Sequence, residues 1–83
     1  MISRTEPDFD PEGPTPVYVQ IADILAWRIE KGRLPANRPV PSETSLRQEF
    51  GIARGTARRA IALLRERGLV VTIQGRGTYV VER

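Results

Sequence analysis

The helical periodicity of residues 43–67 breaks once, at Gly51-Ile52-Ala53, and resumes within three residues. Ser42 before it is a good N-cap, because its hydroxyl can accept an orphan amide of a first helical turn. Glu43 then sits where a negative charge complements the helix dipole. A short helix over 43–50 follows, burying Leu46 and Phe50 one turn apart, and Gly51 ends it. A second helix runs from about Arg54 to Arg67, with Ala57, Ala60, Ile61 and Leu64 on its inward face, and Gly68 stops it. Two short helices joined this tightly must turn a sharp corner, the arrangement of a helix-turn-helix.

The flanking segments supply what such a corner needs to pack against. Thr15 as N-cap and Pro16 at the first helical position open a helix over about 16–31. Val17, Ile21, Ile24, Leu25 and Arg28 or Ile29 recur at helical spacing along it; Lys31 lies in its last turn and Gly32 stops it, with Leu34 free to pack back. Tyr18 and Trp27 fit core or rim packing. Pro35, Pro39 and Pro41 forbid helix across 33–41 and leave an extended segment with a short β-bridge near Val40. After Gly68 the period changes to β-branched runs, 69–73 and 78–82, around the glycine-framed turn Gln74-Gly75-Arg76-Gly77. The expected fold is α+β: a three-helix bundle followed by a two-stranded C-terminal hairpin, a winged helix-turn-helix over residues 14–83. Residues 1–13 hold prolines, a glycine and alternating acids with little to bury, and read as a disordered acidic arm.

Composition narrows the function. A chain of 83 residues is one domain with a small core. It has no cysteine and no histidine, which removes disulfides, thiolate metal sites, the commonest general base and the commonest metal ligand together. No enzyme, cofactor or metal site is expected from what remains, since paired carboxylates would need a cleft that so short a chain has little room to build. No apolar run approaches a membrane span and no signal pattern opens the chain, so a soluble intracellular protein is expected. The net charge of +3 hides an asymmetry: the arm sets Arg4 against four acids, a balance of −3, which leaves +6 on the rest. Residues 54–67 alone carry five arginines against Glu66. Clustered positive charge suits a polyanion.

Position sharpens this. On the last helix Arg54, Arg58, Ala62 and Arg65 share the face opposite the buried residues, with Arg59 beside them as an expected DNA-backbone contact. Small residues near the start of a helix let its backbone approach a groove, and arginine reaches guanine edges or clamps phosphates. Gly55, Thr56 and the free amides of the first turn can hold a phosphate. A cation at a helix N-terminus is locally unfavourable, so Arg54 calls for another justification. Arg65 and Arg67 are already explained by the negative end of the helix dipole. Arg76, framed by Gly75 and Gly77 with Gln74 before it, projects from the hairpin tip and suits a narrow minor groove. Double-stranded DNA is the expected partner. A module docking an acidic protein stands as the alternative, and would show an exposed apolar patch around Trp27 or Tyr79.

Several motifs now agree in order and spacing. Pro16-x-Tyr18-x-Gln20-Ile21, the triplet Pro41-Ser42-Glu43, the stretch FGIARGTARRAIALL and the closing QGRGTYV resemble the N-terminal domain of GntR-family transcriptional regulators. The last two stretches look most like its HutC-type branch, and the resemblance covers about residues 14–83. It implies a bacterial, cytoplasmic, nucleoid-associated DNA-binding domain that acts, usually as a repressor, by dimers on a two-fold operator. Carried over by position, Arg54, Thr56 and Arg58 contact DNA from the recognition helix, and Gln74, Gly75 and Arg76 from the wing. Ser42 and Glu43 join the candidate set, as does Thr44, although the family often has a DNA-reaching arginine there. Ala53 replaces the usual Ser or Thr cap, and Arg47 replaces a small residue and should point outward. Members of the family carry a C-terminal effector-binding domain, whereas this chain stops just beyond the wing. It is expected to be a weakly associating monomer that pairs on DNA, with no small-molecule effector of its own.

Overall fold

The apolar positions of the first helical segment line up on one face and form α1, Val17–Glu30, with Ile21, Ile24 and Leu25 buried and Trp27 only 4% exposed. The computed structural model describes residues 4–82, so the first three residues of the arm and the last of the domain lie outside it. Pro16, not Thr15, is the N-cap of α1: it is extended, and its carbonyl accepts the Val19 and Gln20 amides at 3.0 and 3.1 Å. The Thr15 carbonyl is instead taken by the Gln20 side chain, 2.7 Å away.

Ser42 caps α2, Glu43–Phe50, accepting the Ser45 amide at 3.0 Å. Gly51 ends that helix in the left-handed region, at φ 65°, where a side chain would be strained. This turns the chain into α3, Arg54–Glu66, whose buried residues are Ala57, Ala60, Ile61 and Leu64. Ala53 stands at its N-cap with no side-chain hydrogen bond, so the first amides of α3 lack the cap that a serine or threonine would supply. Arg47 is exposed on α2.

The two strands are β1, Val70–Ile73, and β2, Gly77–Val80, antiparallel in the register Val70 to Val80 and Ile73 to Gly77. Pairing begins one residue nearer the tip than the β-branched run suggests, because Gly77 closes the ladder against Ile73. Beyond the other end Val81 still donates to Leu69 O at 3.0 Å. The proline-rich segment lies along the free side of β2. Asn37 and Val40 donate to the carbonyls of Val80 and Thr78 at 2.9 and 3.0 Å, and Pro39, which has no amide proton, bridges Tyr79 between them. One core joins these elements, with Ile21, Leu25, Leu46, Leu64 and Val80 at its centre.

Residues 4–13 differ from the disordered arm expected of them. Phe9 packs edge-on against Phe50, with ring centroids 5.1 Å apart. The buried Gln20 amide clamps the backbone here. It accepts the Asp10 amide and donates to the Asp10 carbonyl, both at 2.8 Å. Glu6 pairs with Arg28 at 2.6 Å, and Arg28 also bonds Glu49 on α2. That hydrogen bond holds the Glu49 carboxylate below its usual pKa range, desolvation opposing it. Composition counts the acids and prolines but cannot show one phenylalanine seated on Phe50 or one buried glutamine holding the Asp10 backbone.

Candidate nucleic-acid interface

The corner at Gly51 sets the N-terminus of α2 beside the first two turns of α3. One consequence is electrostatic. Glu43 faces Arg54 and Arg58 together: its two carboxylate oxygens lie 3.4 Å from Arg54 Nε and 3.1 Å from Arg58 Nε. This supplies the justification that Arg54 lacks at a helix N-terminus. The residue therefore does two things: it sits in the first turn of α2, as its position in sequence suggests, and it orients both arginines of the neighbouring helix. Arg58 donates Nε–H to Glu43 Oε2, and its guanidinium carries two further Nη groups with which a bidentate partner can be met. Both arginines stay largely exposed, so these ion pairs add little stability.

The wing closes the other side. Between α3, the Pro39–Glu43 segment and the hairpin turn runs a cleft of about 570 Å³, lined by Ser42, Glu43, Arg58, Arg65, Arg76 and Gly77 among others. Arg76 thus stands across the cleft from Arg58. The turn that presents it is tight: the Arg76 amide donates to Ile73 O at 2.9 Å, and Gly75 has φ 80°. Positive φ at that third turn residue is the requirement of a type II turn, which glycine meets without strain. Gln74, Gly75, Arg76 and Gly77 are all exposed at the tip.

The remaining candidates divide. Thr56 is half-buried in the first turn of α3, while Gly55 is exposed there with open space where a Cβ would project. Thr44 is exposed on α2. Arg59 is not brought to the cleft: its guanidinium lies 4.0 Å from the centre of the Tyr18 ring, stacked on α1. Arg67 is likewise drawn toward α1, pairing with Asp23 at 2.9 Å. Arg65, explained in sequence by the helix terminus, does line the cleft. Helical geometry puts it on the face of Arg58, and its place in the last turn of α3 does not keep it from the cleft. Of the apolar patch that an acidic-protein docking module would show, the Trp27 part is absent because Trp27 is buried, whereas half-buried Tyr79 is the register partner of exposed Val71 on the outer side of the hairpin, with Ile73 also exposed there. Among the described residues no helix is long and apolar enough to cross a membrane.

An arginine-faced helix behind a tight corner, with a glycine-framed wing across a cleft, is the geometry on which the comparisons bear. The pattern of the bacterial regulatory proteins, gntR family, matches residues 17–80. The chain belongs to the GntR family. Among curated relatives it is 41% identical over 69 residues to the transcriptional repressor NagR of Bacillus subtilis. It is 41% identical over 71 residues to the histidine utilization repressor of Pseudomonas putida. These matches take in 83% and 86% of this chain but 28% and 29% of the relatives, so the chain spans under a third of their length. Solved structures agree on the winged helix-turn-helix fold. The DNA-binding domain of AraR in complex with operator ORR3 is 34% identical, with a TM-score of 0.76 and 89% of each chain covered. YtrA from Sulfolobus acidocaldarius, a GntR-family transcription factor, is 32% identical with a TM-score of 0.82, covering 95% of this chain and 83% of that one. The fold and the match over residues 17–80 make this GntR chain a winged helix-turn-helix DNA-binding domain.

Proposed function

We propose that the domain reads a two-fold DNA operator and represses transcription in the bacterial cytoplasm, in association with the nucleoid. In this reading α3 enters the major groove and Arg76 follows the adjacent minor groove or backbone. The observation that carries it is the pair Arg54–Arg58, held by one carboxylate at the N-terminal half of α3, opposite a wing arginine. Ser42, Thr56 and the uncapped amides of α3 take phosphates, Arg58 reads a base edge, and Thr44 adds at most a weak backbone contact. Relatives named as repressors, and a domain of similar fold crystallised on its operator, support the reading. One such module buries only about 600–1,000 Å² on DNA. Tight binding then needs two copies on adjacent half-sites, and the chain is a monomer or weak dimer that pairs there.

Selection of bound duplexes from a random pool, followed by anisotropy titration of the selected and a scrambled duplex at the same salt, tests this. The selected duplex is expected to be palindromic and to bind more tightly; equal affinities for both would overturn sequence-specific reading. In the same assay Arg76→Ala is expected to weaken both duplexes by a similar factor and to lower the salt slope by about one.

Gly55 offers a second check. Glycine in a helix costs about 0.8–1 kcal/mol relative to alanine, yet neither its backbone angles nor any neighbour requires it here. Close approach of a DNA backbone gives that cost a reason. Gly55→Ala is therefore expected to raise the unfolding temperature while weakening the selected duplex. A variant that gains stability with no loss of DNA affinity would remove Gly55 from the interface.

A further inference from the structure

The side of the hairpin that faces α3 changes character along its length. At the base Val70 and Val80 are register partners and buried. Two residues nearer the tip the same face carries Thr72 and Thr78, also partners, with their hydroxyls 3.1 Å apart. Arg65 reaches across from α3 and donates Nε–H to Thr72 Oγ1 at 3.1 Å. Accepting that bond leaves the Thr72 proton free for Thr78, so a polar relay succeeds the apolar base just before the turn. The large apolar side chains of the outer hairpin do not perform this task. Val71 and Ile73 are on the opposite face, 45% and 44% exposed.

A two-stranded hairpin is marginal by itself, and its tip is held only as well as its tethers allow. The helix dipole accounts for a cation at position 65, but not for a guanidinium bonded to Thr72 seven residues onward, whose hydroxyl in turn meets Thr78. We propose that Arg65 is a positioning residue for the wing. Through Thr72 and Thr78 it fixes the angle at which Arg76 faces DNA across the cleft. The inference rests on the DNA-binding reading above for its consequence, but not for its structural content.

The discriminating substitutions are at Thr72, which is exposed and can lose its hydroxyl without losing its shape. In the free protein, Thr72→Val and Arg65→Ala are expected to shift the amide resonances of Gln74–Gly77 and to speed their hydrogen exchange, while Thr72→Ser preserves both. On the selected duplex Thr72→Val is expected to lose roughly 2- to 12-fold in affinity, the net worth of one hydrogen bond, with an unchanged salt slope. That loss should vanish in an Arg76→Ala background, because the wing angle acts through Arg76. Unaltered wing amides in Thr72→Val would overturn the proposal. So would losses that multiply fully with Arg76→Ala. Should the unsubstituted chain bind no duplex at all, the DNA reading and the role of Arg76 in it fail together, and the wing amides still decide whether Arg65 orders the hairpin.

Discussion

Arg58→Ala is expected to cost about 1–3 kcal/mol of discrimination between the selected operator and a duplex changed at one base pair. In affinity ratio this is roughly 5- to 150-fold, at about 1.4 kcal/mol for each factor of ten. The size follows from geometry. Arg58 stands in the second turn of α3, and Glu43 fixes its Nε at 3.1 Å. Its guanidinium is thereby oriented before DNA arrives, so less rotamer entropy is lost on binding. Lysine has no planar fork, and Arg58→Lys is expected to keep part of the affinity but not the discrimination. The fold should be indifferent, since the side chain is exposed and its ion pair lies at the surface. Paired anisotropy titrations at one salt concentration give the ratio. Affinities for both duplexes left unchanged in Arg58→Ala would assign base reading to another residue, and an equal loss on both, which leaves the ratio as it was, would make Arg58 a phosphate contact.

Much of this site was legible in the sequence, for a physical reason. The inward face of α3 and the break at Gly51 are local patterns, so the direction of Arg54 and Arg58 follows from helical geometry alone. The turn at Gly75 is equally local, since it needs positive φ at one position. What escaped were contacts between elements. Glu43 and Arg58 are fifteen residues apart, and nothing in either helix announces their bond. Tyr18 and Arg59 are each visible as an aromatic and a cation, but only the crossing of α1 and α3 stacks them. The attachment of the arm is invisible to composition because it depends on Phe9 meeting Phe50 and on Gln20 turning inward. Arg65 shows the opposite failure. A sufficient local explanation, the helix dipole, hid its tertiary partner.

The other large effect lies in the core, and it separates stability from recognition. Leu46 is the one fully buried side chain of α2, with Phe50 half-buried beside it. Leu46→Ala is expected to cost about 2–5 kcal/mol, because the cavity it leaves adds to the lost transfer energy. A domain of this size sits near the low end of the usual 5–15 kcal/mol range, so the loss takes a large share of the total. Thermal denaturation should register roughly 4–8 °C for each kcal/mol. The consequence reaches the site, because α2 carries Ser42 and Glu43, and Glu43 is what holds Arg54 and Arg58. Binding by Leu46→Ala should therefore fall in step with the folded fraction and return on cooling toward the temperature of maximum stability, whereas the defect of Arg58→Ala should be the same at every temperature where the domain is folded. If Leu46→Ala melted with the unsubstituted domain, α2 would be held by something other than its one buried leucine, and the path from core packing to Glu43 to the arginines would have to run through Phe50 and the arm that covers it.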